Sequence, residues 1–186
     1  MKPSSSIAMS ALIAAGLAAM PAQAVTQTRT VTTPGARLCT LSIPTTDTKV
    51  RPKATGFLNE GTTNAFVICA VDSSPGQVQI SAAESTTDPS YVALIFSSID
   101  GAPHSFSCTG VNSWPSGGQF APMHYVQKTV AIDPLSDPFV QVTWGATDFG
   151  GTTHIPTSGV FSVTCLLPPG AAILFSGTIA TEDVGS

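Results

Sequence analysis

Apolar and polar residues alternate with a period of two along much of this chain, and Gly and Pro break the alternation too often for a helix bundle. From Val25 onward the longest stretch free of both is Thr62 to Ser74. Between the breaks lie runs that read as strands: Arg37 to Ile43, Ala65 to Asp72, Gln77 to Glu84, Tyr91 to Ser97, His104 to Val111, Met123 to Asp133, Phe139 to Thr147, Val160 to Leu167 and Ala171 to Thr181. Turn pairs such as Pro75-Gly76 and Asp100-Gly101 separate them. The spacing predicts an all-β fold of about nine antiparallel strands: a β-sandwich, jelly-roll or immunoglobulin-like, or a barrel.

The same alternation tells where the four cysteines point. Cys39 shares a face with Leu41 and Ile43, Cys69 with Val67 and Val71, Cys108 with Phe106, and Cys165 with Phe161, Val163 and Leu167, so all four face the core. Two segments are less regular. Tyr91 to Phe96 is apolar on both faces, which fits a central strand covered on both sides or a surface that meets a partner. Leu166 to Phe175 is apolar but broken by Pro168-Pro169-Gly170, so one strand should end there and another begin.

The N-terminus changes the meaning of the cysteines. Lys2 precedes an apolar run from Ile7 to Met20, and Ala22-Gln23-Ala24 follows Pro21, the pattern of a secretory leader with an A-x-A cleavage site. Residues 1–24 are therefore expected to be removed, 25–36 to form a flexible, Thr-rich arm, and 37–186 to fold as a single domain. Export makes two disulfides the default. Pairing in chain order, Cys39 with Cys69 and Cys108 with Cys165, is the preferred connectivity, although the pattern of faces permits all three.

Without Lys2, six basic residues face eleven acidic ones, a net charge of about −5, which argues against nucleic-acid binding. Only 10% of residues are charged, while Ser and Thr are abundant, as in many exported β-proteins. Lys49, Arg51 and Lys53 form the one basic cluster; their spacing puts them on one side of an extended segment, read as a solvated edge rather than a docking patch. No stretch after the leader is long enough for a membrane helix.

Candidate chemistry is sparse. There is no G-x-S-x-G, H-E-x-x-H, P-loop or dinucleotide turn. A triad could be composed from Ser105, His154 and an aspartate, and His104 is a second possible base, but the abundance of hydroxyls makes such combinations arise by chance. The segment after Cys165 lacks the His and Met of a blue-copper loop, and Met123-His124 reads as a loop end rather than a metal site, so no metal or cofactor is expected. Trp144 keeps register with Val140 and Val142 and belongs in the core. Trp114, in Asn112-Ser113-Trp114-Pro115-Ser116-Gly117-Gly118, lies in a loop where an indole could stack on a ligand; Trp114 and His154 are the candidate ligand residues.

Two stretches carry a family likeness: Gly56-Phe57-Leu58-Asn59-Glu60-Gly61 running into Val67-Ile68-Cys69, and Phe161-Ser162-Val163-Thr164-Cys165-Leu166-Leu167-Pro168-Pro169-Gly170-Ala171. Together they resemble a group of uncharacterised exported, disulfide-bonded β-proteins of Gram-negative bacteria. The resemblance implies an envelope or secreted location and a disulfide-bonded sandwich, and brings no activity or ligand residue with it. The leading expectation is a non-enzymatic structural or adhesive protein of the bacterial envelope, partnered by other envelope proteins or glycans. A small glycan-binding or other ligand-binding module using Trp114, and a small secreted hydrolase using His154 or His104, are the alternatives.

Overall fold

Residues 26–43, 49–71, 89–113, 115–116, 119–120, 123–152, 155 and 160–183 are described by a computed structural model. Seven of the nine strand-like runs fall on strands; of Arg37 to Ile43 only Cys39–Leu41 does, Arg37 and Leu38 closing a one-turn helix, and Gln77 to Glu84 lies outside the described residues. In chain order the elements are β1 (Thr26–Pro34), the one-turn helix α1 (Gly35–Leu38), β2 (Cys39–Leu41), β3 (Val50–Lys53), β4 (Gly56–Asn59), β5 (Ala65–Val71), β6 (Pro89–Ser98) and β7 (His104–Ser113). They continue with β8 (Pro115–Ser116), β9 (Gln119–Phe120), β10 (His124–Ile132), β11 (Val140–Gly145), a 3-10 turn (Ala146–Phe149), β12 (Val160–Leu167) and β13 (Ala171–Asp183).

Among the described residues these strands form two principal antiparallel sheets and a short β8–β9 ribbon. One sheet runs β11-β6-β13-β4-β3, with β1 also paired to β13; the other runs β10-β7-β12-β5-β2. Their facing sides interdigitate: Val92, Leu94 and Phe96 from the first sheet meet Val67, Cys69, Phe161, Val163 and Val130 from the second in one buried cluster. Two edge-to-face aromatic pairs, Phe96 with Phe106 and Phe149 with Phe161, each with ring centroids 5.5 Å apart, add about 0.5–1.5 kcal/mol apiece beyond simple burial.

Both disulfides staple neighbouring strands of the second sheet. Cys39 is the register partner of Cys69 between β2 and β5, and Cys108 is that of Cys165 between β7 and β12. Directly opposed inward residues of adjacent antiparallel strands lie close enough for their sulfurs to meet, the Cα atoms here being 4.0 and 4.1 Å apart. The bridges therefore reinforce one sheet, unlike the inter-sheet bridge of antibody domains.

The first sheet contains two departures from expectation. Thr26–Pro34, within the expected arm, is a strand that pairs without interruption along Phe175–Asp183 of β13. β-branched Thr favours extended backbone, and polarity here marks an edge strand with one solvated face. The second departure is the β3–β4 hairpin, hidden by Pro52 and by a charged edge. Pro52 is tolerated because β3 is an edge strand. β4 and β1 occupy successive lengths of the same side of β13, and a bulge at Leu174 separates the two pairings. Gly56, with φ of 145° and room for no Cβ, which would lie 2.5 Å from the Ile173 carbonyl oxygen, lets β4 begin there.

At the opposite edge the sheets are joined through Trp144. Its indole N–H donates a 3.0 Å bond to the Val126 carbonyl on β10, while its ring lies over Gly110 of β7. Next to it Lys128 reaches across to the Asp148 carboxylate at 2.6 Å and the Thr143 carbonyl at 2.8 Å. No helix among the described residues is long and apolar enough to cross a membrane.

Candidate functional site

The two sequence stretches behind the family likeness meet at one end of the sandwich, and a buried amide joins them. Asn59, at the end of β4, donates 2.9 Å bonds to the carbonyls of Thr63 and Leu167, and its amide oxygen accepts the Gly61 N–H at 2.9 Å. Its backbone carbonyl takes the Gly170 N–H, and the Gly170 carbonyl in turn takes the Ile99 N–H. One fully buried polar side chain thereby ties the β4–β5 turn to the Pro168-Pro169-Gly170 turn, leaving its own polar atoms satisfied. These motifs hold the fold together at this end of the sandwich.

The only His–Asp pair among the described residues belongs to the same end. His104 Nε2 lies 2.9 Å from Asp100 Oδ1, which also accepts the Ala102 N–H and the Ser98 hydroxyl at 2.9 Å each. The Ala102 N–H, then the bonds from His104 and Ser98, outweigh partial burial and hold the Asp100 carboxyl at a pKa of about 2. Asp100 is a turn organiser, and it draws His104 into the same role. Ser105 points outward on the neighbouring position of β7. His154 and Trp114 lie outside the described residues.

Two members of the basic cluster share one carboxylate. Arg51 and Lys53 on β3 both reach Glu60, at 3.4 and 2.5 Å, and the Lys53 bond chiefly holds the Glu60 carboxyl below its usual range. Met123 and His124 are exposed at the start of β10, where the Tyr125 hydroxyl contacts the Met123 sulfur. No group of three or more His, Cys, Asp or Glu side chains converges among the described residues in a way that could hold a metal.

The outer face of the first sheet is different in character. Phe139 and Phe175 stand 59% and 39% exposed beside Ile95 and Gln141, bounding a hollow of about 360 Å³. A second hollow of about 530 Å³ on the other side of the same rings is lined by Thr32, Pro34, Ala54, Thr55 and Leu174. The positions are fixed by backbone: the bulge at Leu174 turns Phe175 outward, and the Asp137 carboxylate accepts the Phe139 N–H at 3.1 Å. Gln141 donates to the Thr143 hydroxyl at 3.1 Å. None of the lining residues carries a charge. Tyr91 to Phe96 lies on β6, central between β11 and β13, and its outward Ala93 and Ile95 are buried, Ile95 alone reaching the hollow; the exposed pair Phe139 and Phe175 carries no signal in the sequence.

No family model matches the chain, and no curated protein sequence matches it. Among solved structures, a family 11 carbohydrate-binding module from Clostridium thermocellum, in complex with a beta-1,3-1,4-mixed-linked tetrasaccharide, is similar over 86% of this chain and 86% of its own, at 9% identity and a TM-score of 0.32.

Proposed function

We propose that this chain is a non-enzymatic exported β-sandwich that acts by surface contact, structural or adhesive at the bacterial envelope. The observation that carries the reading is the uncharged face around Phe139 and Phe175, where aromatic rings stay in water although nothing in the fold demands it. The buried amide, the His–Asp pair and the ion pairs hold turns and edges. Two core-facing disulfides suit an oxidising compartment, and the leader expected over residues 1–24 supplies the route.

Adhesion by such a face requires a partner that is neither strongly acidic nor basic. A glycan fits best, because aromatic rings beside an amide and hydroxyls match sugar rings that are apolar on their faces and polar at their edges. The test is co-sedimentation of the purified mature protein with outer-membrane and cell-wall fractions at physiological and at high salt. Retention that survives high salt supports the reading, since uncharged contact is not screened. Failure to sediment with either fraction overturns it.

A further inference from the structure

One strand edge in the two principal sheets lacks the devices that guard the others. β3 carries Pro52 and the charged residues Arg51 and Lys53, both paired with Glu60. β2 is three residues long. β10 and β11 close on each other, Trp144 donating to the Val126 carbonyl and Lys128 to the Thr143 carbonyl. β1 is different: it pairs with β13, and among the described residues no strand pairs with its other side. It runs for nine residues without a bulge, with a proline only at its last position and Arg29 as its one charged residue. At about 3.3 Å per residue that is about 30 Å of backbone N–H and C=O groups, a template for another extended chain.

The sequence of β1 suits pairing with itself. Cross-strand partners share a face, so a two-fold antiparallel pairing centres on a residue rather than between two. Centring on Arg29 would set like charges directly opposite each other, which is unfavourable. Centring on Thr30 pairs all nine residues, puts Thr30 against Thr30 and Thr28 against Thr32 of the second copy, and sets Arg29 opposite Val31. Thr28, Thr30 and Thr32 are exposed, and Thr–Thr is one of the cross-strand pairs that stabilise antiparallel sheets. Pro34 then falls at the end of the pairing, where a missing N–H is best tolerated.

We propose that β1 is a self-association edge, through which two copies of this chain join their six-stranded sheets into one continuous sheet. The two-fold axis runs perpendicular to that sheet, so the outer faces bearing Phe139 and Phe175 lie on the same side of the dimer. A surface that meets one face meets both, and the second contact forms at the effective concentration set by the first. Nine residues a side make a small interface, so the dimer dissociates on dilution. Self-association draws on the backbone of β1 and does not depend on what the outer face contacts.

The test is sedimentation velocity of the mature protein from low micromolar to several hundred micromolar, with Thr30→Lys, Thr30→Cys and Thr28→Cys as variants. Wild type should pass from monomer to dimer as concentration rises. Thr30→Lys sets two cations opposite each other at the two-fold axis and should weaken the dimer about tenfold or more, while the monomer melts close to wild type because Thr30 is exposed. Directly opposed residues of antiparallel strands have Cα atoms about 4.5–5.5 Å apart, within disulfide reach, so Thr30→Cys should form a reducible inter-chain cross-link under mild oxidation and Thr28→Cys, facing Thr32, far less of one. Wild type that stays monomeric at every concentration overturns the proposal; if the β1 amides are then protected from hydrogen exchange, the edge belongs to another segment of the same chain. A dimer that Thr30→Lys leaves as tight as wild type, or a Thr28→Cys that cross-links as readily as Thr30→Cys, overturns it as well. Should Thr30→Lys fail to fold, the comparison of the two cysteine variants decides. Monomeric wild type that still sediments with envelope fractions would remove the dimer and leave the contact reading standing.

Discussion

The Asn59 side-chain amide donates a 2.9 Å hydrogen bond to the carbonyl of Leu167, 108 residues further along the chain. With the Thr63 carbonyl and the Gly61 N–H it completes a buried set in which each group has its partner. Asn59→Ala would leave two carbonyls and one N–H without that partner, and should destabilise the protein by about 3 kcal/mol or more in denaturant unfolding. Asn59→Asp should not rescue it, because a carboxylate cannot donate to the two carbonyls.

Gly110 and Trp144 make a second prediction. A methyl at Gly110 would lie 2.7 Å from the indole, with no φ requirement involved, so Gly110→Ala should cost about 1–3 kcal/mol by overpacking alone. Trp144→Phe removes the donor to the Val126 carbonyl and should cost a similar amount, while Gly110→Ala combined with Trp144→Phe should cost less than the sum. Thermal melts of the three variants form the double-mutant cycle.

The disulfides close chain separations of 30 and 57 residues, for which the chain-entropy model gives about 3.5–4 kcal/mol each. Cys165→Ser should therefore lower stability by about 2–5 kcal/mol. Intact mass of the exported protein should correspond to a chain beginning at Val25 with all four thiols oxidised; a free thiol in the folded form, or a retained leader, would contradict this.

Asp100 predicts a pH dependence with a definite sign. Its pKa of about 2 in the folded protein lies below the ordinary 3.8, so its contribution to stability is present above about pH 4 and is lost as pH falls toward 2. The loss should be modest, because the carboxylate is 46% exposed and screened. Asp100→Asn should flatten the acid limb of the stability curve between those values, and NMR titration should place the Asp100 carboxyl midpoint near 2.

Much of the sandwich was legible because strands such as β5 and β12 bury every second residue, and Cys69 and Cys165 share that parity. β1 was not, since Thr28, Thr30 and Thr32 present a solvated face and its pairing partner is the distant end of the chain. Asn59 was not, since a polar residue at the end of a strand reads as a turn, and only the arrival of the Leu167 carbonyl makes burial favourable. The exposed rings were not legible, since Phe175 reaches the outer face through a bulge that alternation cannot reveal. Trp114 stands out in the sequence as a loop aromatic because loops carry function, and His154 because an imidazole can serve as base or ligand.

The claim that the protein works through the outer face of its first sheet is tested most directly by the double variant Phe139→Ser, Phe175→Ser. The rings keep 59% and 39% of their surface in water, so the variant should still fold, with a loss of about 2–3 kcal/mol of stability. Measured alongside in the same co-sedimentation assay, it should lose retention on envelope fractions at high salt. A double variant that folds and is retained as wild type is would contradict the account.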